Sequence, residues 1–293
     1  MTTSASPKTE DVRSGAAAWL AALCLAATPA GADEAERSQG EYLLHAGGCI
    51  TCHTAEDGGA PLAGGRAIQS PFGVFYSPNI TPDNETGIGA WSDEDFLRAF
   101  WEGVNPAGEH YFPSFPYTSY TGASRADLLA IKAYLFGLEP VDQPNREHEL
   151  TPVIASRFAA GVWKSRYFEA RRFEPDPAQD EQWNRGAYLV RHLGHCGECH
   201  TPRNRFGALE YERELAGNPE FGDGSVPNIT PNRDEGIGRW SASDIDYFLE
   251  TGMLPDGDFS GGSMGAVIED NTSHLSREDR RAIAAYLRSL QAQ

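Results

Sequence analysis

The chain has 293 residues, with 24 Lys and Arg set against 42 Asp and Glu, a formal net charge of −18. So acidic a surface repels nucleic acid and anionic lipid headgroups, which excludes nucleic acid as a ligand, leaves open a peripheral association with the membrane, and suits partners with a basic docking face. A length of 293 residues with 40% hydrophobic side chains allows one or two packed domains.

Residues 1–32 read as a secretory leader. The run "GAAAWLAALCLAA" at 15–27 is too short to span a bilayer, and "AGA" at 30–32 is a small-residue cleavage site ahead of Asp33. Cys24 follows Leu23 and not a small residue, which argues against a lipid anchor. Lys8, Glu10, Asp11 and Arg13 cancel, so the exported chain keeps the full acidic charge. The expected address is the periplasm, and nothing after residue 32 is apolar for long enough to form a transmembrane helix.

A helix rich in small and apolar residues then runs into "GGCITCH" at 47–53, and "GHCGECH" at 194–200 is a near copy. On a helical turn Cys49, Cys52 and His53 project from one face, as do Cys196, Cys199 and His200. Zinc, a redox disulfide and a c-type haem all use CxxC, and the following histidine separates them. In CxxCH both sulfurs become thioethers on the porphyrin and the histidine becomes an iron ligand. Zinc would call for a second Cys or His pair nearby, and a thioredoxin-type dithiol for a βαβ pattern; neither is visible. The reading is two covalent haem c groups, held by Cys49, Cys52, Cys196 and Cys199, with His53 and His200 as axial ligands.

Residues 79–104, "NITPDNETGIGAWSDEDFLRAFWEGV", recur as 228–253, "NITPNRDEGIGRWSASDIDYFLETGM". A period near 150 residues is too long for a solenoid and marks duplication of a whole domain. Ser92 and Gly103 start and stop one helix, as Ser241 and Gly252 do its copy. In the closing helices Ile131, Tyr134, Leu135 and Leu138 match Ile283, Tyr286, Leu287 and Leu290, each set an apolar stripe suited to pack on the helix that leads into CxxCH. Between the copies, the basic and aromatic segment "VIASRFAAGVWKSRYF" reads as a helix between proline-rich connectors, an interdomain strut or a partner site.

CxxCH, "NITPDNETGIGAWSDEDF" and "PYTSY" followed by "LLAIKAYL" resemble the multihaem cytochrome c subunits of bacterial quinoprotein alcohol dehydrogenase and gluconate dehydrogenase. The resemblance covers the chain after the leader and departs in haem number, two here against three. It implies an all-α fold of two tandem cytochrome c domains, each a small helical bundle around one covalent haem. The expected organisation is a leader at 1–32, domain 1 at 33–141, a linker with a helix at 142–183 and domain 2 at 184–293.

A low-spin haem needs a sixth ligand, commonly Met. Met264, 64 residues after His200, stands where the resemblance puts the axial methionine of the second haem. The matching position in the first copy is Phe115, 62 residues after His53, which cannot ligate iron. His110 is the first substitute, Tyr111, Tyr117, Tyr120 and Lys132 are weaker ones, and an open face is the alternative. Arg66, Arg203 and Arg205 are candidates to pair with haem propionates. His45, His148, His192, His195 and His274 read as surface or helix-end residues.

The function expected is electron transfer from a periplasmic or membrane-associated dehydrogenase to an oxidase or another cytochrome. The rival is a haem enzyme, a peroxidase or inorganic-anion oxidoreductase, acting at an open first haem.

Overall fold

The computed structural model describes residues 1–5, 30–56, 58–152, 154–221 and 224–293. The expected leader, Cys24 included, lies almost wholly in 6–29, outside the described residues. In chain order the first half contains α1 (Ala30–Ala46), α2 (Cys49–His53), β1 (Ala67–Ser70), β2 (Gly73–Tyr76), α3 (Asp93–Glu102), α4 (Tyr117–Tyr120) and α5 (Arg125–Phe136). β3 (Glu149–Leu150) and α6 (Arg157–Tyr167) follow. The second half contains α7 (Glu181–Tyr188), α8 (Gly197–His200), β4 (Asn218–Phe221), β5 (Gly224–Val226), α9 (Ala242–Thr251), α10 (Gly262–Asp270) and α11 (Arg277–Ser289).

The duplicated helices obey the same local rules. Ser92 and Ser241 each close a capping box with the aspartate three residues on, Asp95 and Asp244, and left-handed Gly103 and Gly252 end the two helices. Ser124 and Ser276 cap α5 and α11 through the amides of Asp127 and Asp279. The helix that leads to each cysteine pair crosses the closing helix of its own half at a glycine. A β-carbon on Gly40 would sit 2.3 Å from the Ala130 carbonyl oxygen of α5, and one on Gly186 would sit 2.0 Å from the Ala282 carbonyl oxygen of α11. Both contacts are with backbone, so neither helix could stay so close with any larger residue.

The all-α expectation is wrong. Helices make up 42% of the chain, and two antiparallel sheets accompany them. β1 and β2 pair through a Ser70–Gly73 turn, with β3 added beside β2 so that Gly73 faces Leu150. A β-carbon on Gly73 would meet the Glu149 carbonyl oxygen at 2.2 Å, so the third strand depends on that glycine. β4 and β5 form the matching hairpin of the second half. Aromatic "VFY" at 74–76 carries the strand signal, and the sheet buries Phe75 with Phe112 and Ala160 in a small core of its own.

The main core is continuous across the halves, taking Leu43, Leu128 and Ile131 from one and Leu189, Leu193 and Ile283 from the other. Two tyrosines reach across it reciprocally. Tyr42 donates to Asp279 and Tyr188 donates to Asp127, each at 2.6 Å, so each half anchors a phenol on the cap of the other's last helix. Arg185 adds two bonds to Asp279, at 2.8 and 2.6 Å.

Gly186→Ala is expected to lower stability by about 2 kcal/mol, the cost of overpacking a backbone contact. Gly224→Ala, where a β-carbon has nothing within 4 Å among the described residues, should stay within about 0.5 kcal/mol of the parent. Denaturant midpoints of the two variants check the contrast.

Candidate functional site

α2 and α8 hold the two cysteine pairs, all four as free thiols. Burial pushes the Cys49 thiol up to about 12, Cys196 to about 11 and Cys199 to about 12. Thiol–disulfide exchange needs thiolates near neutral pH, so the pairs are not tuned for dithiol redox work. Among the described residues no three His, Cys, Asp or Glu side chains converge as a zinc site requires.

The histidines are prepared in the same way in both turns. His53 Nδ1 lies 2.7 Å from the Pro78 carbonyl oxygen, and His200 Nδ1 lies 2.8 Å from that of Pro227. A carbonyl only accepts, so Nδ1 carries the proton in each ring and Nε2 keeps its lone pair as a donor to a metal. Burial lowers both pKa values, and the carbonyl bond offsets this only in part, so the rings are neutral at pH 7. The prolines come within reach because of two further glycines. Gly64 donates to the His53 carbonyl and Gly217 to the His200 carbonyl, both at 2.7 Å. At φ 79° and 87° they let the Ser77–Pro78 and Val226–Pro227 backbones pass, where a β-carbon would come within 2.4 and 2.8 Å of backbone atoms. Sequence reasoning passed over these four residues, although "LAG" at 62–64 and 215–217 and "PNIT" at 78–81 and 227–230 are repeated.

The two turns lie back to back. The Gly47 carbonyl, two residues before Cys49, accepts from the Tyr120 hydroxyl at 2.5 Å and lies 3.3 Å from His195 Nε2, the residue before Cys196. His192 Nδ1 faces the Ser119 carbonyl oxygen at 3.1 Å. His192 and His195 therefore belong to the junction between the halves and not to the free surface, while His45 stacks on His274 at 3.8 Å.

The candidate sixth ligands fall out differently. Met264 is the third residue of α10, half-buried, on a helix that packs against α9 and, at its far end, against α2. Phe115 sits in an aromatic cage of Phe100, Tyr111 and Tyr120, with ring centroids 5.2, 5.4 and 5.7 Å away. His110 is engaged by α6. Its Nδ1 is 3.2 Å from the Lys164 ammonium, and its ring fills the space beside Gly161. Lys132 pairs with Asp93 at 2.6 Å. Tyr120 is committed to Gly47, and the Tyr117 hydroxyl is buried with no partner among the described residues. Of the arginines, Arg66 pairs with Glu56 and Arg203 with Glu198, each at 2.6 Å, while Arg205 lies over the Phe206 ring.

Two unpaired thiols and a neutral imidazole with free Nε2 on a single turn, twice over, form a donor set that fits a covalently attached haem and does not fit a bare metal ion. The orphaned Tyr117 hydroxyl, in the segment just past Phe115, is a buried polar atom that such a group or its water could satisfy.

No family model matches the chain. Similar curated proteins exist over most of its length. "Diheme cytochrome c-type" of Cereibacter sphaeroides is 45% identical over 88% of this chain and 86% of its own. The gluconate 2-dehydrogenase cytochrome c subunit of Pantoea cypripedii is 39% identical over 89% of this chain and 61% of its own. The alcohol dehydrogenase (quinone) cytochrome c subunit of Gluconacetobacter polyoxogenes is 38% identical over 92% of this chain and 59% of its own. The chain thus spans about three fifths of the length of these two dehydrogenase subunits.

Gly64→Ala should cost about 2 kcal/mol or more, strain at positive φ plus the displaced Pro78 backbone. Gly65→Ala, also at positive φ (87°) but with only Ala55 Cβ, at 3.8 Å, near it among the described residues, should cost about 1 kcal/mol. Paired unfolding curves measure the difference; equal losses would mean that the Pro78 contact has no energetic weight.

Proposed function

This chain belongs to the family of dihaem c-type cytochromes and dehydrogenase cytochrome c subunits, and from that premise we propose that it is a periplasmic electron carrier serving a dehydrogenase. Two haem c groups are covalently bound per chain. Cys49 and Cys52 would hold one and Cys196 and Cys199 the other, with His53 and His200 as iron ligands through Nε2. When bound, the group supplies one-electron redox chemistry at its iron.

The observation that carries the reading is the repeated turn with its histidine held by a proline carbonyl. That bond fixes ring orientation and keeps Nε2 basic, which is what a permanent iron ligand needs. The contact of Gly47 with His195 places the two turns side by side, a favourable arrangement for passing an electron within one chain. Met264 would supply a thioether at the second site, which favours the reduced metal, and Phe115 supplies no donor at the first. The second site is then the stronger electron acceptor, and electrons would enter at the first. Donor and acceptor are a dehydrogenase and a downstream oxidase or cytochrome. Among the described residues no helix is long and apolar enough to cross a membrane.

A second reading, an enzyme acting at an open first site, is favoured by two observations: Phe115 fills the methionine position, and Lys164 engages His110. Carbon monoxide separates the two. Tight binding to one of the two reduced sites supports the enzyme, and none supports the carrier.

Protein matured in a haem-attaching host should exceed the mass of its leader-free polypeptide by two haems, and a redox titration should resolve two one-electron waves. Met264→Ala should lower the upper wave and leave the lower one in place; a single unresolved wave counts against the assignment. Membranes containing the dehydrogenase, given its substrate, should reduce the protein. Reduction by dithionite alone would remove the carrier reading.

A further inference from the structure

The two attachment turns share an architecture but differ in fixed charge. Glu198 is the third residue of the second turn, the place Thr51 holds in the first. Its side chain is 8% exposed and pairs with Arg203 Nη2 at 2.6 Å. Its Oε1 accepts from Thr118 Oγ1 and Ser119 Oγ, both at 2.7 Å. Arg203 is itself fixed, donating to the Glu198 and Gly207 carbonyls at 2.8 Å each. Thr118 and Ser119 lie three and four residues past Phe115, so the second turn grips the segment that follows the first half's methionine-equivalent position. Thr51 makes the reciprocal contact, with Asp270 and Asn271 at 3.1 Å, at the end of the helix that bears Met264. Thr51 is neutral.

Holding two hydroxyls does not require a charge; a glutamine carbonyl accepts as well. Burying an ion pair is at best neutral for stability, so a carboxylate kept at this depth calls for another reason. A fixed negative charge one residue from Cys199 and two from His200 favours the more positive, oxidised state of whatever metal the histidine holds. The Arg203 guanidinium favours the opposite state.

We propose that Glu198 and Arg203 are positioning residues of the second site that set its reduction potential through opposed charges, the carboxylate buried and the guanidinium partly exposed, while Glu198 ties that site to the segment after Phe115. The proposal rests on the haem reading above. The two can fail separately, because each full-length protein is first weighed for its two haems and only then titrated. A parent protein without two haems removes the underlying reading.

With two haems present, Glu198→Gln should raise the midpoint of the second site, the wave that Met264→Ala moves, on the order of tenfold in its reduction equilibrium, or ~59 mV for one electron. Arg203→Gln should lower the same wave by a similar factor, and the first-site wave should move less in both variants. A clasp with only a structural role would loosen the site in the same way whichever partner was removed. Shifts of the same sign, or none, therefore overturn the proposal. If Glu198→Gln does not mature, Arg203→Lys and Arg203→Gln decide. The lysine variant should keep the parent midpoint and the glutamine variant should not, and equal midpoints sink the idea.

Discussion

The fold depends on the reciprocal tyrosine clasp. Tyr42 and Tyr188 occupy the same place in the two copies, two residues past the glycine at which each leading helix crosses its closing helix. Each phenol donates to the capping aspartate of the opposite half and accepts from its cap amide, Ser276 or Ser124, at 3.2 Å. Burial, first among the causes, raises both phenols above their ordinary range, so they remain neutral donors at any physiological pH. With the halves held so, the end of α1 and the start of α8 meet at the Gly47 carbonyl. The clasp, the shared core and the Gly47 contacts together hold the two cysteine turns side by side.

Duplication preserved the frame and not the chemistry. Capping boxes, glycine crossings, left-handed Leu62 and Leu215, and the proline carbonyl on each histidine recur pair by pair. Residues at matching positions of the two copies diverge: Phe115 against Met264, Thr51 against Glu198, His110 against Phe259. On the haem reading proposed above, like scaffolds with different local donors and charges would give two sites of unequal potential without a second fold.

Much of this was legible in the sequence because it is local. CxxCH places three donors on one turn, and Ser–x–x–Asp followed by Gly marks a helix wherever it occurs. What escaped is non-local or shape-dependent. The hairpins were hidden by an all-α resemblance, although Gly73–Tyr76 reads as a strand on its own terms. Pro78 and Pro227 act through backbone carbonyls, which have no residue signature. Gly64 and Gly217 matter only because a distant chain segment passes over them. His192 and His195 became junction residues through a pairing of the halves that no periodicity announces.

The basic segment between the copies shows how structure decides what composition leaves open. Arg157 donates to the His110 carbonyl at 3.3 Å, Lys164 to the Gly103 carbonyl at 3.4 Å, and Arg172 to the Thr121 carbonyl at 2.6 Å while stacking over Trp101. These cations satisfy the irregular backbone that flanks Phe115, so α6 and the chain after it act as a strut across the first half. The chain's net charge of −18 gives long-range attraction to any partner that presents a basic face, and that attraction comes from the acidic excess and not from the strut.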